Sequence, residues 1–429
     1  DDQDRIRAKK ESLNQKSDTT NTESETTELI KGPKYTLYPM RWVICIFFTT
    51  SVIASGLAMV GMSAITPIIS EIYGVGGITT SMLVLPFIIL FIPCIFPANY
   101  LIDHHGISIP VYWASATLLV GAWIRLLVNT NFNFVIVGQV IMALGQPFML
   151  SAPAKLAALW FGDNERAIAT TLGSLAAPIG AVTGFLLPLP LISDSDAEKP
   201  APHGENVFFR YLLIQNIIIT VLGLPIIFFV RNQPPSPPSS SAAKVLRKKS
   251  PNQCRSIGKL FKNIDFIFLL LSFSFIYSIY TTLGAAVGSI SENFGYSTST
   301  NSIFGTVYIF GGLFGSFLHA FALDKYQKYK LQYCLIGVGC VISMGAITAA
   351  IGQGSTLLTA ILLFFLGLAQ LPIIGVSYSF CAELTYPINE ALSCGMLQLA
   401  GSIFATILTF TVGILLDNGY KYPAVLLMC

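Results

Sequence analysis

Long apolar runs, each followed by a short polar break, dominate the chain from residue 42 onward. A helix needs about 20 consecutive apolar residues to cross the hydrocarbon core of a bilayer. Runs of that length fall near 42–70 (α1), 78–101 (α2), 107–128 (α3), 134–159 (α4), 167–190 (α5) and 207–230 (α6). A second set falls near 264–290 (α7), 301–323 (α8), 331–352 (α9), 355–381 (α10) and 391–417 (α11). A twelfth (α12) begins near Lys421 and breaks off at Cys429. The pattern predicts an all-α membrane protein with a six-helix half over 36–230 and a second half over 264–429, its twelfth helix truncated. Residues 1–35 are polar and mixed in charge, which predicts a disordered tail and does not resemble a cleaved signal peptide. Between the halves, 231–263 runs from NQPPSPPSSSAAK into Lys and Arg, a linker too polar to bury itself.

Composition agrees with the periodicity: 53% of residues are hydrophobic and 11% charged, against about 25% charged in soluble domains. Charge then gives orientation. With the N-terminus cytosolic, 21 basic residues gather on the cytosolic side and four (Arg125, Lys199, Arg210 and Lys421) fall outside. That asymmetry predicts a cytosolic N-terminus and linker. The acidic 5–6 loop, SDSDAEKPAPHGEN, falls outside. The eight Cys show no CxxC pair or metal spacing and read as small apolar fillers. No Asn-x-Ser/Thr sequon occurs.

The halves echo one another. Asp103 closes α2 in YLID and Asp324 closes α8 in AFALD; Glu165 follows α4 in WFGDNE and Glu390 follows α10 in TYPINE. Such recurrence fits parallel repeats about an axis along the membrane normal, the arrangement of major facilitator transporters, with α1, α4, α7 and α10 lining a central path. Asp103 and Asp324 are candidate gate latches, with Lys155 and Arg166 as partners for Asp103. Lys155 snorkels to the surface or pairs with Glu383 or Asp103. Prolines 86, 93 and 97 in α2, 147 and 153 in α4, 178 in α5 and 372 in α10 predict kinks.

The candidate binding set is Gln139, Gln146, Asn216, Tyr277, Tyr280, Tyr308, Gln370, Tyr378, Gln398 and Ser402, all polar and well inside the runs. Gln and Tyr can hydrogen-bond a polar solute, and a tyrosine face can hold a cation. The competing reading for each is an interhelical hydrogen bond, worth about 0.6 kcal/mol. Gln146 and one of the α7 tyrosines are favoured for the site; Gln139, two turns before Gln146 on the same face, meets either another helix or the central path. No Asp or Glu lies at the centre of a run, so a proton relay has no evident carrier. No phosphate-binding loop, HExxH or catalytic triad occurs, and GSLAAPIGAVTG reads as a packing stripe. The sequence thus predicts no enzyme activity, cofactor, metal or nucleic-acid partner. It predicts a monomer in lipid that handles a small solute.

The segments LVLPFIILFIPCIFPANYLIDHHG, GAWIRLL, GQVIMALGQPFMLSAPAKLAALWFGDNERA and AELTYPINEALSCG resemble the feline leukaemia virus subgroup C receptor (FLVCR) family of the major facilitator superfamily. The similarity covers α1 to α11, and PAKLAALWF looks closest to a less characterised branch. The resemblance implies a transporter of a choline-, ethanolamine-, haem- or vitamin-like solute. In choline-carrying members a Trp of α1 and a Tyr of α7 cage the ammonium beside Gln side chains. Those positions fall at Met59 and near Ala285 here, the α4 Gln is kept as Gln146, and the α11 Gln falls on Ser402. Loss of two aromatic walls weighs against choline, with Tyr280 or Tyr308 as replacement faces. A small-solute carrier working by alternating access is therefore expected. A non-transporting receptor on the same fold and a proton-coupled drug antiporter are the rivals, the latter disfavoured by the missing midplane acid.

Overall fold

A computed structural model describes residues 35–162, 165–198, 203–239, 242–243, 253–326, 328–385, 388 and 390–428. The tail expected to be disordered, and most of the basic part of the linker, lie outside the described residues. The described residues form the twelve expected helices, and among them ten helices or their segments are long and apolar enough to cross a membrane. In α1 a 3-10 turn, Ser63–Ile65, separates Met40–Val60 from Thr66–Tyr73. The second helix, α2, comes in three pieces, Gly77–Ser81, Leu85–Ile89 and Phe91–His105. The remaining first-half helices are α3 (Ser108–Ile124, ending in the 3-10 turn Arg125–Asn129), α4 (Asn133–Leu150 and Pro153–Trp160), α5 (Arg166–Leu186) and α6 (His203–Gly223 and Pro225–Phe229). The second half contains α7 (Ile264–Asn293), α8 (Thr298–Tyr326), α9 (Tyr329–Ala350), α10 (Thr356–Gln370 and Pro372–Thr385), α11 (Glu390–Asp417) and α12 (Lys421–Leu426).

The expected proline kinks divide into two groups. Pro86, Pro93, Pro153 and Pro372 sit in the first turn of a new helical piece, where a missing N–H costs nothing. Pro97, Pro147 and Pro178 lie inside helices that continue past them. The break in α1 at Gly61–Met62 has no proline at its centre. It is held by other helices: the Tyr211 hydroxyl of α6 donates to the Gly61 carbonyl.

Helix packing repeats between the halves. α1 packs along α5, and α7 packs along α11, six helices later in each case. Gly56 and Gly180 let the α1 and α5 backbones touch; a Cβ at either would strike the carbonyl of Ala177 or Ile53. Contacts between the halves also come as a symmetric pair, α5 against α8 and α2 against α11. This is the exchange that a two-fold axis between the halves produces.

The described start of the linker is tied to the first half by hydrogen bonds. The Tyr38 hydroxyl meets Ser236 Oγ at 3.0 Å, Ser108 N–H donates to Asn232 Oδ1 at 2.8 Å, and Trp160 Nε1 donates to the Arg231 carbonyl at 3.2 Å. A proline-rich segment has little conformational entropy to lose, so a few such contacts suffice to seat it. They also place the N-terminal segment and the linker on one face.

Candidate functional site

Gln146 lies one residue before Pro147 in α4 and is almost fully buried. Its Nε2 donates to the Met59 sulfur at 3.2 Å. Met59 is half-buried, two residues before the α1 break, and packs against apolar clusters on both sides of the seam between the halves. Two positions that the family resemblance placed at the solute site therefore meet.

Across the seam, α7 and α8 present a file of rings. Tyr277 and Tyr280 have centroids 6.2 Å apart, Tyr280 and Tyr308 6.1 Å, and Phe273 stacks on Tyr277 at 5.2 Å. Tyr280 packs in the same apolar cluster as Met59. Two glutamines fix these rings. Gln398 of α11 donates through Nε2 to the Tyr277 hydroxyl at 2.5 Å and accepts from the Tyr378 hydroxyl. Gln370, at the break of α10, accepts from the Tyr308 hydroxyl at 2.6 Å. Among the described residues the buried Gln370 Nε2 has no partner, which leaves it a donor for a ligand or for water. Ser402 is buried beside the Tyr277 hydroxyl, with Gly401 leaving room for that ring.

Gln139 and Asn216 instead serve the first-half bundle. Gln139 Nε2 donates to the Leu83 carbonyl at 2.7 Å, satisfying an acceptor freed where α2 is broken. Asn216 Nδ2 donates at 2.6 Å to the Ala122 carbonyl, and its Oδ1 accepts from Arg125 Nη2 at 2.5 Å. Arg125 is 0% exposed and has no carboxylate within ion-pair reach among the described residues. Counting basic residues placed it outside the membrane; the structure turns it inward, between α3 and α6. The signal was available in GAWIRLLV, a lone charge inside an apolar run.

The end of the seam away from the linker is shut. Ser63 Oγ donates to the carbonyls of Gly284 and Ala285, and Gly288 lies so close that a Cβ would strike the Ser63 carbonyl. Asp194, from the 5–6 loop of the first half, accepts the Thr298 N–H at 3.1 Å and so caps α8 of the second. Sequence reasoning missed both contacts, because a lone serine and a loop aspartate carry no distinctive spacing.

At the linker end, Lys155 Nζ lies 3.6 Å from Asp103 Oδ1, and Arg41 clasps Glu165 through two bonds of 2.9 and 3.1 Å. Of the partners proposed for Lys155, Asp103 is the one in reach; Glu383 accepts from the Tyr329 hydroxyl at 2.8 Å. Arg166 opens α5, Asp324 lies in the last turn of α8, and Glu390 opens α11. The side chains of Asp324 and Glu390 lie outside the described residues. A void of about 20 Å³ lined by Leu283, Val287, Phe304, Met344 and Leu363 is apolar. It is a packing defect and not a solute site.

Two pseudo-symmetric six-helix halves, a polar and aromatic seam between them and one shut end define a secondary transporter. The Major Facilitator Superfamily model matches residues 46–409, and the chain belongs to that superfamily. An uncharacterised MFS-type transporter of Caenorhabditis elegans is 30% identical over 91% of this chain and 67% of its own. The choline/ethanolamine transporter FLVCR2 of Rattus norvegicus is 27% identical over 91% of this chain and 72% of its own. Among solved structures, a D-xylose–proton symporter superposes with a TM-score of 0.70 at 13% identity, covering 90% of this chain and 95% of its own. A bacterial homologue of the human lysosomal transporter Spinster, inward-facing and unoccupied, gives 0.66 at 16% identity, covering 89% and 83%. The resemblance to the FLVCR family read from the motifs is thereby supported, as are the fold and the transporter class.

Proposed function

We propose that this chain carries a small organic amine of the choline or ethanolamine type across a membrane by alternating access. The tyrosine file is the observation that carries this reading: Tyr277, Tyr280 and Tyr308 stand in series, fixed by Gln398 and Gln370, with Met59 and Gln146 beside the seam. Ring faces and a polarisable sulfur suit an alkyl-shielded cation, and no midplane carboxylate is present to select a bare proton or metal ion. The names of the FLVCR relatives point the same way. Tyr280 and Tyr308 stand in for the aromatic walls that the Met59 and Ala285 positions lack. Gln146 and the free Nε2 of Gln370 supply donors for a hydroxyl oxygen on the solute.

In this reading the protein is a monomer and a carrier rather than an enzyme, with N-terminus and linker cytosolic as the basic residues dictate. Ser63 and Asp194 shut the outer gate. Asp103, Lys155, Glu165, Arg166, Glu383, Asp324 and Glu390 form the linker-side gate. A thermal-shift screen of purified protein against choline, ethanolamine, haem and B vitamins tests the substrate class. A true ligand at 100 times its dissociation constant stabilises by about 2.7 kcal/mol. Choline or ethanolamine should shift the melting point, and a shift with haem alone would overturn the assignment.

A further inference from the structure

The linker returns to the membrane through a short helix, Gln253–Leu260, that plays no part in the solute path. Ile257 and Leu260 turn into the second half, packing in the cluster that includes Leu384, Ile388 and Cys394 of the α10–α11 corner. Lys259 and Lys262 point the other way and are exposed. Gly258, next to Lys259, has open space on its side-chain face, so none of the described residues covers the surface there.

Its height in the bilayer is fixed by its neighbour. Asn263 caps α7 by accepting from the N–H groups of Asp265 and Phe266 at 3.1 and 3.4 Å. Directly beyond, Ile264, Phe268 and Phe275 are 60%, 64% and 57% exposed, the outward apolar stripe of a helix that faces lipid. Phe261, 48% exposed, stands at the head of that stripe with its ring edge-on to Phe266. The two lysines thus sit within one turn of the hydrocarbon edge, at headgroup level. The acids nearby are Asp265, in the first turn of α7, and Glu383, already engaged by Tyr329. The sequence brings Arg255 to the same helix and Lys248 and Lys249 just before it.

We infer that the outer face of this linker helix is a docking surface for anionic phospholipid headgroups. Basic residues at such a surface are drawn to an acidic leaflet, and the attraction falls off within a Debye length. Because the helix packs on the α10–α11 corner, headgroup binding steadies the linker-side end of the second half.

The test is the melting temperature of the full chain in nanodiscs of phosphatidylcholine alone and of phosphatidylcholine mixed with phosphatidylserine. The native protein should melt higher in the anionic discs, and added salt should erase the difference. The Lys259→Gln/Lys262→Gln double variant should lose most of that rise while melting like the native chain in phosphatidylcholine, and Lys259→Arg/Lys262→Arg should keep it. Inorganic phosphate added to phosphatidylcholine discs should leave the melting point unchanged. An equal rise in the Gln variant, or a rise reproduced by phosphate, would overturn the proposal. Since symmetric discs offer the same lipid to both faces, the result is independent of solute identity and membrane orientation.

Discussion

The hydroxyl of Ser63 in α1 lies 2.7 Å from the carbonyl oxygen of Gly284 and 2.9 Å from that of Ala285 in α7, joining the two halves at the end away from the linker. The Ser63 side belongs to the 3-10 turn that interrupts α1, and the α7 side to a run of small residues, GAAVG, that lets the backbones close together. With the Asp194 cap on α8 it forms a gate that must open once per transport cycle.

Weakening that gate should raise the outward-open population. An interhelical hydrogen bond is worth about 0.6 kcal/mol in a membrane, so Ser63→Ala should shift the equilibrium about threefold. Asp194→Ala removes a helix cap worth about 1 kcal/mol and should shift it further in the same direction. Spin-label distances between the outer ends of α1 and α7 read the effect. Unchanged distance distributions in the double variant would remove these residues from the gate.

Asp103→Asn should slow transport while leaving insertion and stability nearly intact. The Lys155–Asp103 pair is partly solvated at 3.6 Å, so its net contribution is at most about 1 kcal/mol. That is too little to unfold the first half, yet enough to bias a balanced conformational equilibrium. Initial uptake rates at matched surface expression decide it, and native rates would count against the latch.

Arg125 makes a sharper demand on stability. Asn216→Leu removes its one side-chain acceptor among the described residues and leaves a buried guanidinium less satisfied, with an expected loss of about 1.5–3 kcal/mol. Asn216→Asp supplies a counter-charge instead and should be tolerated or stabilising. Denaturation of the two variants in detergent separates them; equal losses would mean that shape, and not charge, governs this position.

How much of this could be read from the chain follows from the kind of signal each feature leaves. Twelve helices were legible because a membrane span is a long compositional signal, and α7 and α11 emerge within three residues of their expected limits. The interruption of α1 was hidden, since GMSAITP carries a proline only after the break. Arg125 was miscounted as external because charge counting ignores which way a side chain turns. Burial cost required a partner for Gln139, either another helix or the central path, and the family resemblance favoured the helix contact. The choice of Gln146 for the seam drew on the family motif, while its contact with Met59 needed coordinates. Asp194 and Ser63 were illegible, because a contact between residues 104 or 221 positions apart leaves no local pattern.

The central claim is tested most directly by uptake of radiolabelled choline and ethanolamine into proteoliposomes holding the native chain, Gln146→Ala or Gln139→Ala. Gln146→Ala loses a donor at the seam, worth about 0.5–1.5 kcal/mol, and should weaken apparent affinity about two- to tenfold without lowering the melting temperature. Gln139→Ala orphans the Leu83 carbonyl and should lower the melting temperature while leaving affinity unchanged. The account predicts saturable uptake of at least one of the two amines by the native chain, with the affinity loss confined to Gln146→Ala. Folded native protein that carries neither amine, or an affinity loss confined to Gln139→Ala, would contradict it.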